Sequence, residues 1–184
     1  MNNQLTAETD IVIRVATVED VPAILGFIRD LAEYEKLANE VVATEAALRA
    51  TLFGTRPPAE VIIAELAGHD DADPLHSQLA PVGFALFFQS YSTFLAKPGL
   101  YLEDLFVRPA ARGRGVGSAL LAALAKITIE RDYGRFEWSV LDWNEPAIRL
   151  YRSIGAAAMD QWTIQRLTGA SLAELAAKWP HSVR

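Results

Sequence analysis

Residues 101–130 read YLEDLFVRPAARGRGVGSALLAALAKITIE, and the fold turns on how this stretch is parsed. Its opening, YLEDLFV, is dense in aromatic and branched side chains and reads as a strand. Its end carries Val116, Leu120, Leu121, Leu124 and Ile127 at helical spacing, the apolar face of a helix running to about Arg131. Between them lies ARGRGVGS, residues 111–118, with three glycines and two arginines in six positions. Glycine permits positive φ and lets a backbone approach a ligand closely. Successive N–H groups in such a turn point into one concavity, and the helix that follows adds the positive end of its dipole. Strand, basic glycine turn and helix together describe an anion site, to which Arg112 and Arg114 add charge-assisted contacts. A turn that binds nothing can have the same composition, so spacing has to decide.

Two familiar phosphate loops fail that test. The P-loop needs a glycine, four residues and then Gly-Lys-Ser/Thr, and no lysine follows until Lys126. The dinucleotide fingerprint Gly-x-Gly-x-x-Gly puts Ser118 in the last position counted from Gly113, and Leu120 counted from Gly115.

Upstream, residues 11–17 alternate as a strand, and a helix runs from 21 to about 36 on Val21, Ile24, Leu25, Ile28 and Leu31. A second helix starts at Thr44 and ends at Gly54. Residues 60–67 and 81–89 read as strands joined by a polar hairpin loop, GHDDADPLHSQLA at 68–80; a fourth strand spans 100–107. Downstream come a strand at 135–141, a helix at 144–154 capped by Asn144 and stopped by Gly155, short strands at 156–159 and 162–167, and a small helix at 171–178. The first half is largely antiparallel, and helical crossovers imply parallel pairing later, so the class is mixed α/β. With no repeats and no linker, the 184 residues form one domain.

Composition narrows the chemistry. A net charge of −6 argues against non-specific nucleic-acid binding and favours a cationic partner. There is no cysteine, which removes thiolate metal sites and a cysteine nucleophile. No apolar run reaches membrane-spanning length, and MNNQLTAETD lacks a signal peptide's basic and apolar regions; a cytoplasmic protein is the expectation. The loop at 68–80 holds His69 and His76 with three aspartates, yet its Gly/Pro content reads as a hairpin loop rather than a metal site. His181 lies in the tail.

Arg112-x-x-Gly115-x-Gly117, preceded by LFVRP, resembles the acetyl-CoA pyrophosphate loop of the GNAT superfamily of N-acetyltransferases. The segments IRVAT (13–17), LAEYEKL (31–37), LYLEDLFV (100–107) and LDWNEPAIRLYRSIGA (141–156) resemble its diamine (spermidine/spermine) and thialysine N-acetyltransferase branch. The resemblance covers residues 11–168, leaving a tail at 1–10 and a helix and tail at 169–184. It implies a GNAT-like central mixed sheet, partly splayed near the fourth and fifth strands and flanked by helices. It also implies acetyl-CoA in the splay, no metal, and a homodimer.

The same resemblance assigns roles. Backbone groups of Leu105, Phe106 and Val107 pair with the pantetheine arm, with the Val107 N–H an oxyanion donor. The run Arg112, Gly113, Arg114, Gly115, Val116, Gly117 and Ser118 holds the pyrophosphate, and Asn144, Pro146, Ala147 and Tyr151 contact the cofactor. Tyr151 is the acid for the leaving thiolate, since a phenol can donate a proton there. Tyr34, Glu35, Glu103, Asp104, Trp138 and Asp160 line the amine site. Neighbouring strand residues face opposite sides, so one of Glu103 and Asp104 faces the cleft; the resemblance selects Glu103 as proton acceptor. Each has a plainer reading: Asn144 as helix cap, Tyr151 as packing, Glu103 as a solvated carboxylate. AAAMDQWT (156–163) and Glu137, Trp138 and Ser139 depart from the polyamine pattern, which leaves thialysine, lysine-like and other amines open. The reading is direct, ternary-complex acetyl transfer to a small cationic primary amine. Acetylation of an amino acid or peptide, and a non-catalytic acyl-CoA-binding regulator, are the alternatives.

Overall fold

The computed structural model describes residues 11–67 and 79–179. The chain forms two compact units, dividing after Leu141. In the first, five strands make one sheet in chain order: β1 (Ile11–Val15), β2 (Glu60–Ala67), β3 (Leu79–Ser92), β4 (Lys97–Val107) and β5 (Phe136–Trp138). Neighbours from β1 to β4 are antiparallel, whereas β5 joins β4 in parallel, as a crossover through a helix requires. The helices are α1 (Val21–Tyr34), α2 (Glu45–Leu52) and α3 (Val116–Glu130).

Cross-strand register sorts the apolar residues between two faces. Ile63, Phe84 and Phe106 stand in one row and pack with Val21, Ile24 and Phe27 of α1; the Phe27 and Phe84 rings stack at 5.3 Å. Alternate residues such as Ala85, Phe87 and Leu100 point the other way. Val116, Leu120 and Leu124 of α3 are buried against β1–β4 and stand outside the α1 cluster, so α3 covers the opposite face.

One charged network ties the start of α1 to the sheet. The Arg14 guanidinium donates to both carboxylate oxygens of Asp20, at 2.7 Å each, and to Glu65 at 2.8 and 2.9 Å. Asp20 also accepts the Thr17 N–H at 2.7 Å. Those bonds hold the Asp20 carboxyl well below its usual range, to about 2, with the Arg14 hydrogen bond the largest cause.

In the second unit, α4 (Glu145–Ser153) and α5 (Gly169–Ala177) are the regular elements. Asn144 caps α4 by accepting the Ala147 N–H at 3.4 Å. Gly155, at φ +85°, ends it: the Gly155 N–H donates to Arg152 and the Ala156 N–H to Tyr151, the paired bonds of a left-handed helix terminus.

Several sequence expectations are corrected. The strand expected at 135–141 shortens to Phe136–Trp138, and residues 156–159 and 162–167 form no strand. The aromatic and branched residues at 136–140 and 162–164 suit a pleated surface, but a strand exists only through a neighbour's ladder, which propensity does not report. The hairpin instead runs longer than expected, since β3 and β4 stay paired out to Ser92 and Lys97. His69, His76 and His181 lie outside the described residues, as does the loop at 68–80 apart from Leu79 and Ala80, which open β3.

Candidate active site

The sheet opens where the site is expected. Pairing of β4 with β5 covers Leu100, Tyr101 and Leu102 and goes no further, so the β4 edge beyond Leu102 is open. The Arg108 N–H donates to the Val82 carbonyl at 2.9 Å. Because successive backbone groups point to opposite edges of a strand, Leu105 and Val107 turn theirs to the open edge. Phe106 turns towards β3: a side chain at Gly83 would meet the Phe106 carbonyl oxygen at 2.8 Å. Of the three residues expected to pair with a cofactor through their backbone, Leu105 and Val107 turn it to the edge that β5 leaves unpaired, and Phe106 does not.

The turn after β4 begins with a short 3-10 segment, Pro109–Ala111. Gly113 and Gly115 follow at φ +74° and +86°, left-handed values that a side chain would strain. Gly115 is the N-cap of α3, and no side chain caps that helix. The first N–H to close a helical bond is Ala119, onto Gly115. Among the described residues, the N–H groups of residues 113–118 meet no backbone acceptor. A run of open donors at a helix N-terminus is the arrangement that binds phosphate oxygens.

Arg112 is placed differently from the expectation. Its Nε donates to the Val107 carbonyl at 3.0 Å, and its guanidinium lies over the Tyr34 ring at 4.9 Å and the Phe106 ring at 5.5 Å. It pins the loop to the α1 side of the sheet. Arg114 is exposed on the loop itself and Ser118 is exposed in the first turn of α3.

Register also overturns the reading of Glu103 and Asp104. Leu86 pairs with Asp104 and Phe87 with Leu102, so Glu103 is the extra residue of a β-bulge. Tyr101 pairs with Phe88, Leu102 with Phe87 and Asp104 with Leu86, and paired residues share a face. Leu102 thus faces α3, whereas Tyr101 and Asp104, two positions that strict alternation would separate, both face α1. Glu103 lies close enough for its charge to act on Asp104. Asp104 is pushed up from its ordinary value to about 6, first by burial, then by the charges of Glu103 and Glu35. Burial raises Glu35 too; it ends α1 directly after Tyr34. The structure therefore brings the charges of Glu35, Glu103 and Asp104 together, with Tyr34 beside them.

Trp138 does not join them. It pairs with Leu102, which puts it on the α3 face, and its ring meets that of Phe136 at 4.7 Å, tilted by 56°. Tyr151, Asn144, Pro146, Ala147 and Asp160 belong to the second unit. Burial raises the Tyr151 phenol above its ordinary value, which keeps it in the proton-donating form near neutral pH. Asp160 is exposed and outside any helix or strand.

Sequence reasoning missed Arg108 and Asp30. The Arg108 guanidinium sits over the Phe27 ring at 4.7 Å and reaches Asp30 at 3.7 Å. No local signal marks either residue, since helix and strand are joined here only by packing.

A mixed sheet that opens beside its fourth strand, with an uncapped helix N-terminus of free N–H donors below the opening, is the frame of an acetyltransferase. Residues 28–156 match the Acetyltransferase (GNAT) family; the chain belongs to that family and is an N-acetyltransferase. It is 37% identical to the L-ornithine N5-acetyltransferase of Arabidopsis thaliana, over 87% of this chain and 85% of that one. It is 37% identical to the thialysine N-epsilon-acetyltransferase of Sus scrofa, over 91% of this chain and 98% of that one. Among solved structures, an integron cassette protein from the mobile metagenome of V. cholerae superposes with a TM-score of 0.70 at 26% identity, over 90% of this chain and 97% of the other.

Proposed function

We propose that this protein transfers an acetyl group from acetyl-CoA directly to the primary amine of a small cationic substrate, both bound at once. The open N–H run at 113–118 carries this reading, because its donors suit the pyrophosphate of a CoA thioester. Acetyl-CoA supplies the acetyl group in activated form. The carboxylates of Glu35, Glu103 and Asp104 attract the substrate ammonium, and the Glu103–Asp104 pair accepts the proton it gives up before nitrogen attacks. A base works best when its pKa lies near the working pH, which favours a pair containing the raised Asp104. As the C–N bond forms and the C–S bond breaks, the Val107 N–H donates to the carbonyl oxygen, the Tyr151 hydroxyl protonates the departing sulfur, and the nitrogen's second proton, released as the amide forms, restores the phenol through solvent. Thialysine, ornithine and related amines, named for the relatives, are the first substrates to try, with polyamines beside them.

We also assign a homodimer. The family resemblance implies it, and Met159, Trp162, Ile164 and Trp179 are each more than half exposed, apolar area that a second copy would cover. Light scattering at micromolar concentration tests this; a monomer overturns it. The transfer itself is tested by CoA release from acetyl-CoA against a panel of amines. Binding of acetyl-CoA without release for any amine would overturn the catalytic reading.

A further inference from the structure

β4 and β5 make a fork. They are paired from Leu100 and Phe136 to Leu102 and Trp138, and the bulge at Glu103 lies where they part. A bulge bends its strand and adds twist, so the divergence starts there. The apex is walled on both faces. On the α3 side Leu102 is buried, and Trp138 lies beside it with its ring against Phe136. On the α1 side the hydroxyls of Tyr101 and Ser139 are hydrogen-bonded to each other at 2.8 Å. Tyr101 belongs to β4, and Ser139 directly follows β5. That bond therefore crosses from one prong to the other, just past the last paired residues. The Tyr101 ring is half-buried and packs against the Phe88 ring at 5.2 Å, tilted by 33°. Glu137, which pairs with Tyr101 and shares its face, is turned onto Arg135 by an ion pair at 2.7 Å. Tyr101 and Ser139 are thus left as a bar across the apex, on the face that carries Asp104.

We propose that this bar sets the length of the acyl group that can be transferred, so that the donor is confined to CoA thioesters of short acyl chains. The inference rests on the transfer reading above, in which the donor's pyrophosphate meets the N–H run at 113–118. That run follows the C-terminal end of β4. A donor anchored there and laid along the open edge has its acyl group at the end furthest from the pyrophosphate, pointing back towards the apex. Carbons added beyond the carbonyl then run at the bar. The bar resists displacement for two reasons. The Tyr101 hydroxyl already has its partner in Ser139, and moving it leaves that bond unmade. The ring is braced by Phe88, a contact between aromatic faces that a rotation would also lose. A pocket with a fixed end discriminates by single methylenes, each worth roughly ten- to two-hundredfold.

The test is a ladder of donors. CoA release by the full chain is measured with acetyl-, propionyl-, butyryl-, hexanoyl- and octanoyl-CoA, using the fastest amine of the panel above as acceptor. For the wild type, kcat/KM should fall by roughly tenfold or more at one step of the ladder. Tyr101→Ala removes the ring and its bond to Ser139, and should move that fall to a longer chain. The ratio of hexanoyl to acetyl transfer should then rise by roughly tenfold or more. Misfolding lowers every rate together and leaves the ratio alone, so the ratio reads the pocket. Ser139→Gly, at an exposed position, repeats the test without touching the packed ring. A ratio raised in either variant supports the proposal. Octanoyl-CoA used as well as acetyl-CoA by the wild type, or a ratio that both variants leave unchanged, overturns it. Should no amine release CoA, the transfer reading fails separately, and calorimetric binding of the same donors decides for the bar. Affinity that falls with chain length, with the fall moved to longer chains in Tyr101→Ala, supports it; affinity that does not fall, or a fall that stays in place, overturns it.

Discussion

Replacing Asp104 with asparagine should make the protein more stable and less active, and the gain should depend on pH. The Asp104 carboxyl titrates at about 6 rather than its ordinary 3.8, because burial and two neighbouring carboxylates penalise its charge. The folded state therefore holds this proton more tightly than the unfolded chain. Its contribution to stability is fully present below the unfolded value and is lost as pH rises through about 6. A shift of about two units corresponds to about 3 kcal/mol, an upper figure for a part-buried side chain. Asparagine keeps the shape and never ionises. At pH 8 Asp104→Asn should be about 2–3 kcal/mol more stable than the wild type, or roughly 5–10 °C in Tm for a chain of this size. Near pH 4 the two should differ by only a few tenths of a kcal/mol, since both are then neutral. Urea unfolding of both proteins between pH 4 and 8 measures the difference directly. In the same series, wild-type activity should rise through pH 6 as the carboxylate forms, and the variant should lose most of its turnover. A variant less stable than wild type at pH 8, or a stability difference that does not change with pH, would refute the picture of a strained, charged Asp104.

Four further outcomes follow from the geometry. Tyr151→Phe should lower kcat by a hundredfold or more while calorimetry shows acetyl-CoA affinity within a few-fold, the usual weight of one acid–base group. Gly115→Ala places a side chain at φ +86°, so it should cost about 1–2 kcal/mol of strain and weaken acetyl-CoA binding at the same time; a loss of stability with unchanged binding would separate the loop from the cofactor. Arg14→Met leaves Asp20 and Glu65 without their shared partner and should cost about 2–4 kcal/mol in urea unfolding at pH 7. Because the Asp20 value is depressed to about 2, the wild type's advantage over Arg14→Met should be present above pH 4 and fade as pH falls towards 2. Phe84→Ala removes a fully buried ring that stacks on Phe27 and should cost about 3–5 kcal/mol, read as a lowered urea midpoint.

Where a feature depends on residues adjacent in the chain, the sequence determined it. Residues 60–67 were readable as β2 at both ends. Asn144 and Gly155 announced the ends of α4, because capping is chemistry between a side chain or a backbone turn and its own helix. The glycines at 113 and 115 announced the left-handed turn and the open helix start in the same way. The family followed from these local signs together.

The arrangement of the amine side was decided only by tertiary structure. Nothing local marks Glu103 as a bulge. The extra residue exists because β3 and β4 pair in one register on one side of it and another beyond it. Strict alternation therefore separates two carboxylates whose charges act on each other across the bulge. Trp138 went to the other face because β5 takes its register from β4, and Arg112 left the loop because aromatic rings from α1 and β4 meet its guanidinium there. Residues 162–164 have strand-like composition but no ladder, and a cavity at Arg108 is made by a helix and a loop more than seventy residues apart in sequence. Pairing register and long-range packing are properties of two segments at once, and a single segment carries no record of its partner.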